Sequence, residues 1–309
     1  VPELPDVLVY CEAIAERVQG RPLTRIRLGS PFVLRTFAPK AIAFEGKTVT
    51  WVERMGKRIV IAFEGDLFAV IHLMIAGRFR WVEAGAKLPG RLGLVGFDFD
   101  NGTLILTEAG TKKRASLHLI EGREGVQALH AGGVELDACD DASFFAALTR
   151  ENHTLKRSLT DPRIFSGIGN AYSDEILWDA QLSPVKLTSR LTEAEASRLL
   201  ASARGTLERF TTMLRAEAKE KFPEKVTAFR PEMAVHGRYG LPCPRCQEKV
   251  QRIVFATNEH NYCPTCQTGG KLLADRGLSR LLKDDWPKSI EEMDEMKAAR
   301  REPAKSDRG

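Results

Sequence analysis

The spacing of apolar positions changes twice along the 309 residues. Near the start, Val7, Cys11, Ile14 and Val18 recur at helical intervals. Pro5 and Asp6 suit a first turn and Gly20 a stop, which predicts a helix over 5–19. From 24 to 120 the period shortens to alternation and brief apolar runs, as in TRIRL, KTVTWVER, RIVIAFEGDLFAVIHLMI and LVGFDFDNGTLILTE. Glu64-Gly65-Asp66 and Asn101-Gly102 mark hairpin turns, so this region is predicted to be antiparallel β in two sheets. Between 121 and 140, Gly122, Gly125, Gly132 and Gly133 break the pattern and place a linker. Helical stretches follow: SFFAALTRE, 155–160 and AYSDEILWDA. A long helix starts near Thr192, where T-E-A-E forms a capping box with Glu195 and Leu191 can staple the first turn. It is predicted to run to Lys221.

Length and composition then narrow the class. A chain of this size has room for two cores. Its 43% hydrophobic and 28% charged content is that of a globular protein. No apolar run reaches the roughly 18 residues of a membrane span, and no basic-then-apolar leader opens the chain, so a cytoplasmic location without membrane attachment is expected. The net charge is +5. The last 26 residues hold eight acidic and six basic groups, leaving +7 on the remainder, a balance that suits a polyanionic partner. The end of that tail reads as loosely helical or disordered.

The six cysteines separate by context. Cys11 lies on the apolar stripe of the first helix, and Cys139 is a lone thiol in the linker. The other four form C-P-R-C at 243–246 and C-P-T-C at 263–266. Paired C-x2-C knuckles at this separation match one tetrahedral zinc held by Cys243, Cys246, Cys263 and Cys266. Two disulfides are the competing reading, disfavoured in a reducing compartment. Four thiolates leave no open position, so the zinc is structural, and QRIVFAT and HNY become the strands of a hairpin.

Three separated segments, PELPDV, LTDPRIFSGIGNAYSDEIL and the cysteine hairpin, occur in an order that resembles the formamidopyrimidine-DNA glycosylase and endonuclease VIII (Fpg/Nei) family of base-excision repair enzymes. The opening P-E-L-P is nearer the formamidopyrimidine branch. The resemblance implies an α+β multidomain protein. It would comprise an antiparallel β-sandwich with a leading helix (1–130), a helical helix–two-turn–helix module (131–240), a zinc finger (241–268) and a C-terminal extension, partly disordered (269–309). It also implies a monomer that binds double-stranded DNA carrying a damaged base or abasic site. Such an enzyme would be a glycosylase with β,δ-lyase activity.

The resemblance assigns Pro2 as nucleophile, through an N-terminal secondary amine that forms a Schiff base, and Glu3 as its acid–base partner. Pro-Glu near a terminus also reads simply as a helix start with a favourable carboxylate. Residue 1 is the obstacle. If Val1 reflects a GTG initiation codon and is removed as methionine, Pro2 becomes free; if Val1 persists, a non-catalytic, lesion-sensing DNA-binding protein is the alternative. Lys57, in RMGKRIV, matches a strand-turn lysine near the lesion phosphate, or is one more surface lysine. Asn170, in Gly167-Ile168-Gly169-Asn170, matches a phosphate-binding asparagine, or is a helix N-cap. Lys156 is a further expected phosphate contact, whereas Tyr172 and Glu175 read as scaffold.

Some positions depart from the family pattern. Asn258 stands where a zinc-hairpin arginine grips phosphate, with Arg252 and His260 nearby in sequence. The segment that carries an arginine and a wedge phenylalanine reads TEAGTKKRASLH, so Lys112, Lys113 and Arg114 offer a phosphate patch without an aromatic ring. Met74 or Ile75 remains as an apolar wedge. An early acidic position is Leu8. Residues 222–242 occupy the place of a lesion-recognition loop, with Arg238 or His236 able to meet a flipped base. Past the finger, Lys271, Arg276, Arg280 and Lys283 recur on a short amphipathic stretch, either extending the DNA footprint or forming a docked cap.

Overall fold

The structure, a computed structural model, describes residues 1–224, 229–254, 259–274 and 286–301. Helix α1 (Leu4–Val18) precedes eight strands: β1 (Arg25–Leu28), β2 (Val49–Met55), β3 (Arg58–Phe63), β4 (Leu67–His72), β5 (Gly77–Val82), β6 (Gly93–Phe99), β7 (Gly102–Glu108) and β8 (Ser116–Glu121). They form two four-stranded antiparallel sheets, ordered β1-β6-β7-β5 and β2-β3-β4-β8. The inward residues of each strand alternate with outward ones, so Ile59, Ile61, Ala69, Ile71, Val95, Phe97, Leu104 and Leu106 meet in one core. Val7, Tyr10, Ile14 and Val18 of α1 close its side. The expected sandwich with a leading helix is the observed one.

The interdomain stretch is less featureless than its glycines imply. It holds a short helix, α2 (Arg123–Gln127), whose Val126 covers Val60, Ala62, Phe68 and Val70 on the outer face of the second sheet. The helical unit follows as α3 (Asp141–Thr149), α4 (Leu155–Thr160), α5 (Asn170–Asp179) and α6 (Glu193–Ala218). The Thr192–Glu195 capping box forms in both directions, and Leu191 and Ala196 join the same core. Helix α6 stops at Ala218, three residues short of the sequence reading. The chain turns out of it to bury Phe222 against Tyr10, 6.0 Å between rings, with the Arg17 guanidinium 5.3 Å from the Phe222 ring. The four-cysteine hairpin then forms from β9 (Gln251–Val254), β10 (Glu259–Tyr262) and α7 (Pro264–Thr268). A last helix, α8 (Ile290–Arg301), is tied to it by Lys249 Nζ and Asp294 Oδ2 at 2.8 Å. No helix among the described residues is long and apolar enough to cross a membrane.

Candidate active site and nucleic-acid interface

Residues 2 and 3 sit where the sandwich meets the helical unit. Glu3 is the N-cap of α1, and its backbone N–H donates to Asp6 Oδ2 at 2.9 Å. Its carboxylate leaves its own helix and crosses to α5. Oε2 accepts from Gly169 N at 2.6 Å and Tyr172 N at 3.2 Å, and Oε1 accepts from Ala171 N at 2.9 Å. The first amides of a helix have no intrahelical partner and carry the positive end of its dipole. The anion that the Gly-Ile-Gly-Asn turn was expected to receive as phosphate is therefore met here by a carboxylate of the same chain. Only glycine fits at 169: a Cβ there would lie 2.5 Å from the Glu3 carboxyl and 2.7 Å from Lys57 Nζ. Gly167, at φ +82°, brings its carbonyl to Leu4 N at 3.0 Å.

Lys57 lies in the turn between β2 and β3 with its ammonium at that junction. Burial lowers its pKa, and the Glu3 charge opposes the shift. Next to it is a cavity of 270 Å³ lined by Val1, Lys57, Arg58, His72, His130 and Gly167, with Pro2 buried beside it. The Val1 amine is lowered chiefly by burial, against the pull of Glu3. Burial pushes the Asp6 carboxyl up to about 7, the Glu3 backbone hydrogen bond opposing and the Glu3 charge adding. A larger groove of 590 Å³, between α4 and the zinc hairpin, shares none of these residues.

The residues expected to grip DNA divide by position. Asn170 is the first residue of α5 rather than its cap, which is Gly169, and its Nδ2 donates to the Glu259 carbonyl of β10 at 3.0 Å. Lys156 is not on the surface. Its ammonium is enclosed, donating to the Asn170 carbonyl and to Asp174 Oδ1, each at 2.5 Å. Burial lowers its pKa while Asp174 pulls it back up. Asp174 Oδ2 also meets His236 Nδ1 at 2.8 Å. Glu175 accepts from the amides of Ala234, Val235 and His236 at 2.7–2.9 Å, and Tyr172 packs edge-on against Phe210 at 5.2 Å. The His236 ring is thus held inside and stacked on Phe229, while Arg238 donates to the Pro231 carbonyl.

Lys112 and Arg114 are exposed, and Lys113 folds back onto the Glu108 carbonyl. Glu108, almost wholly buried, shapes this loop by accepting from the amides of Arg114 and Ala115 at 2.8 and 3.1 Å. Sequence reading passed over it, although a glutamate closing a strand before a basic turn is the available signal. Met74, at φ +54°, and the exposed Ile75 form the tip between β4 and β5. Lys271 is exposed. Asn258, Arg276, Arg280 and Lys283 lie outside the described residues.

The sulfurs of Cys243, Cys246, Cys263 and Cys266 all fall within 4.8 Å of one another. The Cys246–Cys263 and Cys243–Cys266 separations are 3.4 and 4.0 Å. They bracket the edge of about 3.8 Å that a tetrahedron with Zn–S near 2.3 Å requires. Trp178 Nε1 donates to Cys243 Sγ at 3.3 Å, and Cys266 N donates to Cys263 Sγ at 3.4 Å, as thiolate ligands favour. No disulfide is formed. These residues fit one structural zinc. The Arg245 guanidinium over the Trp178 ring at 4.2 Å fixes the knuckle to α5.

The chain thus joins a sandwich and a helical unit through a buried carboxylate, with a zinc hairpin braced on the same helix. Three family models match in order: the formamidopyrimidine-DNA glycosylase N-terminal domain over residues 1–114, its H2TH domain over 134–218, and a zinc finger found in FPG and IleRS over 240–269. A formamidopyrimidine-DNA glycosylase of Thermus thermophilus is 32% identical over 279 residues, covering 87% of this chain and all of that protein. One from Chloroflexus aurantiacus is 29% identical over 276 residues, covering 86% of this chain and 98% of the relative. A solved structure of a Lactococcus lactis FPG mutant with Fapy-dG DNA superposes at a TM-score of 0.77 with 25% identity, over 86% of this chain and 100% of that one. The chain belongs to the formamidopyrimidine-DNA glycosylase family, whose members are bifunctional base-excision repair enzymes.

Three outcomes follow from this geometry. Lys156→Ala leaves Asp174 buried without its cation and should cost about 3–5 kcal/mol, read as a large fall in Tm; a loss of DNA affinity at unchanged Tm would place the ammonium on phosphate instead. Asp6 has a folded pKa above its unfolded one, so it holds its proton in the folded state while the unfolded chain loses it between about pH 4 and 7, and stability falls as pH rises through that window. Asp6→Asn should remove that fall, making the variant's Tm rise relative to the parent between pH 5 and pH 7.5; parallel profiles would contradict it. Cys263→Ser should lower bound zinc and DNA affinity together, measured by metal analysis and by binding on one preparation.

Proposed function

We propose that the chain removes oxidised bases from duplex DNA and cleaves the abasic strand through a Schiff base on Pro2, acting as a monomer in the cytoplasm. The observation that supports this most is the seating of Glu3 on the α5 amides beside Lys57, which fixes residue 2 next to the cavity. Once residue 1 is removed, the Pro2 nitrogen is a secondary amine. Glu3 takes its proton and frees the lone pair. The amine attacks C1′ of the damaged nucleoside as the bond from C1′ to the base breaks, and the departing base takes up the proton that the newly bonded nitrogen sheds. Glu3 returns its proton to the ring oxygen as the sugar opens, giving an iminium between Pro2 and C1′. The cation acidifies the C2′ proton, whose loss expels the 3′ phosphate; a second elimination expels the 5′ phosphate, and water releases Pro2.

Lys57 supplies a positive charge at the junction, where a phosphate next to the lesion would be drawn. Lys112 and Arg114 extend that field along the loop after β7, with Lys113 behind them. Asn170 holds β10 through the Glu259 carbonyl. Ile75 is the apolar group available to enter the stack in place of an aromatic ring. Four unpaired knuckle cysteines suit a reducing compartment. The neighbouring structures include MutM with carbocyclic 8-oxo-G DNA, which supports an oxidised purine as the lesion.

Borohydride trapping on a duplex with one abasic site tests the reading, using protein made from its native start codon. A covalent adduct that maps to Pro2 is expected, and Glu3→Gln should slow its formation by a factor of about 100 or more, the scale of general acid–base assistance. An adduct on residue 1 would overturn the role of Pro2. No adduct despite firm DNA binding would establish the lesion-sensing, non-catalytic alternative.

A further inference from the structure

The outer face of the second sheet carries two kinds of residue. Over most of it, Val60, Ala62, Phe68, Val70 and Ile120 are buried under α2. Toward the strand ends nearest the cavity the face turns basic. The ladder sets Arg58 opposite His72 and His118 opposite Val70, and Val70 is two residues from His72 on β4. Partners across a ladder and residues two apart on a strand share a face. Arg35 borders the patch, since its backbone N–H donates to the Leu117 carbonyl of β8 at 2.9 Å. Arg58 and His72 also line the 270 Å³ cavity with Lys57.

Protein groups leave this cluster incompletely satisfied. Arg58 Nε is shielded from water and has no hydrogen-bond partner. His118 Nδ1 is in the same condition, meeting the Val70 backbone only loosely. After burial, His72 is depressed by Arg58, Lys57 and His118, and His118 by Arg58 and Arg35, all charges of one sign. The Lys57 ammonium lies at Gly169 with the Glu3 carboxylate as its opposing charge. Like charges gathered around unpaired buried donors cost free energy, and an anionic ligand removes that cost.

We propose that Arg58, with His118, forms a phosphate subsite that carries the DNA backbone from the cavity across the second sheet toward β8 and Arg35. The proposal rests on the glycosylase reading and adds a set of residues to it. The arginine fork supplies two parallel donors to one phosphodiester, and the His118 imidazole donates in its neutral form, so the grip does not require it to be charged.

The test is the salt dependence of affinity for a duplex carrying a tetrahydrofuran abasic analogue, measured by anisotropy. Each phosphate contact contributes about 0.9 to the slope of log K against log salt. Arg58→Gln should therefore lose about 3- to 4-fold less affinity than the parent over a fourfold rise in salt, and bind more weakly at the low end. Arg58→Lys should keep the parent slope. His118→Glu, which sets an anion in the patch without touching Arg58, should weaken binding and flatten the slope independently. Parent slopes in both Arg58→Gln and His118→Glu would overturn the subsite while leaving the glycosylase reading in place. A parent protein that fails to bind the duplex would instead remove that reading.

Discussion

One carboxylate on three backbone amides joins the two halves of this protein. Glu3 reaches the opening turn of α5 from the cap of α1, and the helix accepts it because its first N–H groups are otherwise unpaired. The contact is dry, since Glu3 is 2% exposed. It also requires the side chain at 169 to be absent. Pro2 has no polar side chain with which to anchor itself. Its position is set by the neighbour that follows, through the same hydrogen bonds that join the two halves.

From α5 the organisation spreads in two directions. Toward the helical core, Lys156 bridges the Asn170 carbonyl and Asp174, while Glu175 gathers the three amides from Ala234 to His236. Toward the hairpin, Asn170 holds Glu259, Trp178 meets Cys243, and Gln267 Nε2 donates to the Leu182 carbonyl at 3.0 Å. Helix α5 is accordingly buried along almost all its length in spite of its polar sequence. On one face of α5, Asn170, Asp174 and Glu175 substitute for apolar residues, each with a partner given above, while Ala171, Tyr172, Ile176 and Leu177 join the helical core.

That substitution explains what the sequence made legible. The sandwich, the capped long helix and the cysteine hairpin follow from period, turn residues and spacing, which are local signals. The ordered motifs were enough to identify the family. The burial of Lys156 and the engagement of Asn170 were not legible. A lysine on a helix flanked by Arg157 looks solvated, and only a partner eighteen positions away, Asp174, reveals otherwise. Glu108 was missed for the same reason, because its partners are backbone amides that any sequence would possess. The short helix α2 escaped through its glycines, although Val126 fills the gap over β3 and β4.

The clasp between the halves also sets an order of assembly. Glu3 and the Tyr172 amide are 169 positions apart. At about 5–20 residues per second, roughly 10–30 s of synthesis separate the two ends of the contact. During that interval α1 can dock on the sheets through Val7, Tyr10 and Ile14, but its first turn lacks the amides that orient it. The hairpin that Asn170 braces emerges later still. The first turn of α1 is thus made early and fixed late, and the place of residues 2 and 3 beside Lys57 is not set until the helical unit has left the ribosome.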